Sequence, residues 1–232
     1  MNKFHTSINQ KKARASTEKG TIYRNTIHYC ENEVRPVLEL LHDKTISEII
    51  KKSLRKFLII SLVTTFEYYF KNMASYYVNK NKVDLTRLFK DEICFKLSDL
   101  DAMLQDNLLT RGNIVISSVN FDDLNQINIF LSKLFDINLF KYLYEENSKD
   151  KCKMMIKDAP PIDISYKNLL EAFELRHKVV HELADVNYSY THILKLWDNA
   201  MNIFDIANTI SISPTQLQKF RLEYGTSKKS SI

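Results

Sequence analysis

The sequence is poor in the residues from which tight turns, phosphate loops and disulfide frameworks are made. Its 232 residues include only three Gly and four Pro. That scarcity argues against a turn-rich all-β fold and leaves almost nothing for glycine-dependent phosphate loops. Neither GxGxxG nor GxxxxGK(S/T) occurs, so nucleotide binding by the usual loops is not expected. The three cysteines, Cys30, Cys94 and Cys152, are far apart and form no CxxC pair. An odd, dispersed set suits a reducing compartment better than a disulfide framework. The opening MNKFHTSINQKK is too polar for a secretory signal. The most apolar run, Phe57 to Val63, falls far short of the roughly 20 residues that cross a bilayer. A soluble cytoplasmic protein with no membrane partner is expected.

Charge is present but uneven. Of the net +5, residues 1–20 contribute +4 and residues 216–232 contribute +3, which leaves −2 for the middle. Basic ends attract nucleic acid without regard to its sequence, and they are also what solvated ends look like. The charge permits an RNA partner without establishing one.

What is abundant is helical periodicity. Tyr23 to Leu41 reads as a helix, with Pro36 as a kink or a later start. After a break at Asp43 to Ser47, apolar residues from Ile46 to Tyr77 recur at helical spacing over a long amphipathic helix. Asp84 and Ser98 are candidate caps of two short helices, the second ending near Gly112. Ile114 to Val119 is β-like but too isolated to found a sheet. Asn120 reads as the cap of a helix to Phe135, and Leu139 to Tyr144 adds a turn or two. Ser165 caps a helix to about Ala184, and Thr191 to Thr209 makes another. Pro214 can begin a short last helix to Tyr224. These readings give an all-α bundle of long antiparallel helices in a single domain. Its organisation is a flexible basic leader (1–20), a helical domain (21–212), and a short helix with a disordered basic tail (213–232).

The chemistry concentrates in LLEAFELRHKVVHE, residues 169–182. Leu169, Phe173 and Val180 follow the stripe of a core-facing helix, yet Arg176, His177 and His181 sit among them. Charge and imidazole against such a stripe need partners or a task. Three readings compete. His177 and His181, four apart, have a spacing used by zinc sites, but Lys178 stands where a zinc protease places Glu, and no third ligand is evident. Alternatively, an imidazole can take the proton of a ribose 2′-OH while an arginine fork holds the phosphate, with no metal required. In the third, the side chains merely satisfy one another or the carboxylates of Glu67 and Glu174.

The segment LRHKVVH resembles the RxxxxH motif of the HEPN superfamily, matching at Arg176 and His181, with His177 as the polar residue that commonly follows the Arg. The early helix LVTTFEYYFKNM agrees with that family setting, and so do the penultimate position of the motif helix and the amphipathic helix after it. The stretch NFDDLNQINIFLSKLFDINLFKYL looks like the middle of bacterial HEPN proteins of the family named after Microcystis examples. The resemblance covers about residues 45–210. It implies a dimerising helical bundle and a metal-independent endoribonuclease, without cofactor, acting in toxin–antitoxin or antiphage systems. An antitoxin or another defence protein would then be a partner. His181 would be the base and Arg176 the phosphate anchor, with His177 supporting and Glu67 a possible further support. The alternative is a non-catalytic HEPN-like module that binds a partner protein or RNA without cutting it. Five residues advance about 500° round a helix, so Arg176 and His181 diverge by about 140° on a straight one. Either the helix is distorted there, or a two-fold axis brings the pair together between subunits.

Overall fold

The computed structural model describes residues 19–80, 83–84, 88, 110–141 and 166–210. Among them the regular elements are all helical: α1 (Lys19–Tyr29), a π-helical turn (Cys30–Val34), α2 (Arg35–His42), α3 (Glu48–Lys80), α4 (Arg111–Ser117), α5 (Leu124–Phe135), α6 (Tyr166–His181) and α7 (Tyr190–Ile210). The expected all-α bundle is therefore what forms. The expectations for residues 1–18, for the caps Ser98 and Ser165, and for residues 211–232 fall outside the described residues.

The 33-residue α3 is the axis of the bundle. At 1.5 Å per residue it is about 50 Å long, and α1, α2, α4, α6 and α7 all pack on it. Its two halves differ. From Glu48 to Phe57 most residues are exposed or half-buried, whereas from Leu58 to Val78 residues on nearly every side are buried. The second half is thus a central helix, not the amphipathic one that its spacing suggests. Phe66 meets Phe173 of α6 edge-on at 5.8 Å and Phe204 of α7 at 6.0 Å. Tyr69 packs on Phe204 at 4.8 Å and donates its hydroxyl proton to the Phe204 carbonyl at 3.1 Å. Each such large side chain contributes about 1.5–3 kcal/mol by leaving water.

Pro36 lies in the first turn of α2, so a helical segment begins there, which is the later start that the sequence allowed. Its ring collides with an α-helical carbonyl four residues back and offers no N–H. The chain widens into the π turn just before it, where the Arg35 N–H reaches the Cys30 carbonyl, and α2 continues beyond.

Three sequence expectations fail around α4 and α5. The β-like Ile114 to Val119 lies largely within helix α4. Thr110, whose hydroxyl accepts from the Asn113 N–H, caps that helix, so Gly112 opens it and does not end one. Tertiary contact overrides β propensity here, because Val115 and Ile116 are both buried. Asp123, not Asn120, caps α5 by accepting from Asn125 and Gln126 N–H groups, while Asn120 closes a turn onto Asp122 N–H.

Candidate functional site

The helix that carries the RxxxxH spacing is built from an apolar stripe and a polar one. Leu169, Ala172, Phe173 and Val179 are buried, and Phe173 anchors the stripe on α3. Val180, expected in the stripe, is instead 42% exposed. The register is set one residue earlier, at Val179, which moves the neighbouring polar side chains outward. Arg176 is half-buried, while His177 and His181 are exposed.

The α-helix runs unbroken from Tyr166 to His181, so local distortion does not bring Arg176 and His181 together. Their directions diverge by about 140°, as on any regular helix. His177 and His181, one turn apart, do meet: their rings lie 4.6 Å apart, tilted by 46°. Among the described residues, no hydrogen bond or ion pair holds any of the three side chains. Nor does any group of three His, Cys, Asp or Glu there have the arrangement of a metal site.

Glu67 is placed differently. One of its oxygens binds Lys71 on the same helix at 3.0 Å, and the other is buried with no hydrogen-bond partner. Lys71 in turn lies over the Phe121 ring at 5.4 Å. No hydrogen bond or ion pair joins Glu67 to Arg176, His177 or His181.

The motif helix ends sooner than its sequence suggests, at His181 and not Ala184, because the backbone reverses at Leu183. Leu183 has φ 54°, a left-handed conformation that costs a non-glycine residue roughly 1–2 kcal/mol. Several contacts hold it. The N–H groups of Glu182 and Ala184 both donate to the Lys178 carbonyl, at 2.9 and 3.2 Å. Lys56 of α3 donates to the Leu183 carbonyl at 3.4 Å. Two residues on, Asp185 pairs with Lys52 at 3.3 Å and with Lys56 at 3.0 Å. Those two ammonium groups hold its carboxyl below the usual carboxylate range.

A second cluster ties the same segment to the body of α6. The Tyr188 hydroxyl donates to Glu171, and the His192 ring lies 4.4 Å from that of Tyr188 with its Nε2 3.6 Å from Glu171. Burial, reinforced by the Glu171 hydrogen bond, pushes the Tyr188 phenol up to about 12. Sequence reading overlooked Lys52, Lys56, Asp185 and this trio. The only signal was the basic run KKSLRK opening α3, and nothing in it points to a segment 130 positions away.

The model of the family described as RiboL-PSP-HEPN matches residues 26–212. That span takes in most of the described helices, the motif and Glu67. No match was found among the curated proteins or among the solved structures.

Proposed function

Because the chain belongs to the RiboL-PSP-HEPN family, and so to the HEPN superfamily, we propose that it is a metal-independent endoribonuclease that cuts RNA by attack of a ribose 2′-OH. The family within the superfamily differs from the Microcystis-named one that the middle stretch resembles. The observation that carries the reading is the motif helix itself. It presents two touching imidazoles and a half-buried arginine, unclaimed by other described side chains, at one exposed helix end.

In the proposed step His181 takes the 2′-OH proton as the oxygen attacks the adjacent phosphorus. The P–O2′ bond forms, the P–O5′ bond breaks, and a 2′,3′-cyclic phosphate remains. The Arg176 guanidinium fork anchors the phosphate and stabilises its developing charge. His177, beside His181, supports the proton traffic, and in this reading it returns a proton to the leaving 5′-oxygen. The 2′-OH is an internal nucleophile already in position, so the step calls for no metal or cofactor. Glu67 enters only as a possible support, through its unpartnered oxygen, and has no assigned step.

A homodimer belongs to the same proposal. On an unbroken helix Arg176 and His181 face different ways, so one site needs Arg176 from one protomer and His181 from its partner. Val180, 42% exposed, and Leu183, 80% exposed, lie at this helix end and supply apolar area for an isologous contact. The resemblance further supports a cytoplasmic toxin–antitoxin or antiphage setting with an inhibitory protein partner. No described helix is long and apolar enough to cross a membrane.

The test is cleavage of RNA in EDTA by the purified chain. His181→Ala should slow it by about 10²- to 10⁴-fold, the usual contribution of a general acid–base group. Arg176→Lys, which keeps charge but loses the planar fork, should also be impaired. Cleavage that disappears in EDTA and returns with zinc or magnesium would refute the metal-independent reading. RNA binding without any cutting would favour a non-catalytic module.

A further inference from the structure

The opening turns of α3 place Lys51, Lys52, Arg55 and Lys56 close together, and these cations divide into two sets. Glu48 engages Arg55 at 3.2 Å and Lys51 at 3.9 Å. Lys52 and Lys56 turn instead to the segment after the motif helix. Lys52 lies 3.3 Å from one Asp185 oxygen, and Lys56 lies 3.0 Å from the other. One small anion thus sits between two ammonium groups with an oxygen toward each, which is also how two lysines take a phosphate. Asp185 comes four positions after His181, so this pair borders the motif.

The cluster is also accessible. The side chains of Lys52 and Asp185 are 48% and 49% exposed. Surface ion pairs of this kind contribute little stability, so exchanging the carboxylate for another anion costs the fold little. A phosphodiester brings a similar charge, and in a strand it brings the release of counterions as well.

We propose that Lys52 and Lys56 form a phosphate-binding pair for the RNA strand next to the scissile bond, and that Asp185 occupies the pair until the strand displaces it. The identity of the ligand rests on the ribonuclease reading above, but the pair's own test is one of binding. A purely structural strap is the competing account, and the two differ in whether the changes are coupled. RNA is a polyanion, so losing Asp185 raises affinity and losing the lysines lowers it through net charge alone, and for a mere strap those effects are independent. If Asp185 competes with RNA for the lysines, its removal helps binding only while the lysines are present.

The experiment measures anisotropy of a labelled single-stranded oligoribonucleotide of mixed sequence, using the full chain in a His181→Ala background so that the RNA stays intact. Asp185→Asn should tighten binding several-fold with the lysines in place and change it little when combined with both Lys52→Gln and Lys56→Gln. Lys52→Gln with Lys56→Gln should weaken it and lower the slope of log affinity against log salt by about 1.4, the share of two phosphates on a single strand. Should the double variant fold poorly by circular dichroism, either single variant should lower the slope by about 0.7. An Asp185→Asn gain that is the same with and without the lysines, no gain at all, or a slope unchanged by the lysine variants overturns the proposal. Cleavage by the otherwise unaltered chain is scored separately on the same RNA. A lysine-dependent Asp185→Asn gain without cleavage would remove the ribonuclease reading and keep the phosphate pair; cleavage without that dependence would do the reverse.

Discussion

Side chains that ionise reveal how the core and the site differ. His177 and His181 are exposed at a helix end. Tyr69 is the opposite case: it is buried in the bundle, and burial drives its phenol far above the ordinary tyrosine value, with Tyr23 and Asp205 adding to the effect. An unfolded tyrosine ionises near 10, so above that pH the unfolded chain binds fewer protons than the folded one. Stability contributed by Tyr69 is therefore complete below about pH 10 and falls as pH rises beyond it. Urea unfolding at about pH 9 and about pH 11 should show a clear loss of stability, and Tyr69→Phe should lose less over the same interval. Equal losses in the two proteins would mean that other groups govern alkaline unfolding. At this scale the sequence was half legible. Arg176, His177 and His181 are recognisable because their spacing is local. Lys52, Lys56 and Asp185 are not, because their meeting depends on how α3 crosses the end of α6.

Where α4 packs on α3, the approach depends on a glycine. A Cβ added at Gly112 would lie 2.3 Å from the Ser75 carbonyl oxygen, a backbone atom that cannot swing aside. The Asn79 side chain also accepts from the Gly112 N–H at 2.7 Å, and Asn113 accepts from the Ser75 hydroxyl at 3.3 Å, fixing the crossing. Gly112→Ala should destabilise the chain by about 1–3 kcal/mol, the common cost of overpacking, and lower Tm by several degrees in a thermal scan. An unchanged Tm would show that α4 can slide along α3. Helices with uninterrupted apolar spacing, such as α3 and α7, were readable from that spacing alone. Those around α4 and α5 were not, since β-branched Ile114, Val115 and Ile116 favour a strand locally, and only packing against α3 decides for a helix. The ends of α5 and α6 escaped for a related reason. Asn120 and Asp123 are both competent caps, and Leu183 is an unusual residue for a left-handed turn.

For the whole molecule, the proposed site requires two copies. Heterodimers refolded from Arg176→Ala and His181→Ala chains, each inactive alone, should regain part of the RNA cleavage, because one of their two sites would hold both an arginine and a histidine. Recovery absent from heterodimers confirmed by mass would argue against a site divided between subunits. A stable monomer in sedimentation at micromolar concentration would argue against the dimer itself.

The central helix also has a consequence in time. The Phe66 to Phe70 surface of α3 is covered by Phe173 and Phe204, which follow Phe66 by 107 and 138 positions. At about 5–20 residues per second, a ribosome that has made α3 needs roughly 5–30 s more to supply its cover. Until the end of that interval the aromatic strip lacks its full cover, and the arginine and histidines are made only late in it, between Phe173 and Phe204. The nascent chain is thus sticky before its motif is complete, and a cell that synthesises it meets a folding client first and the finished bundle only afterwards.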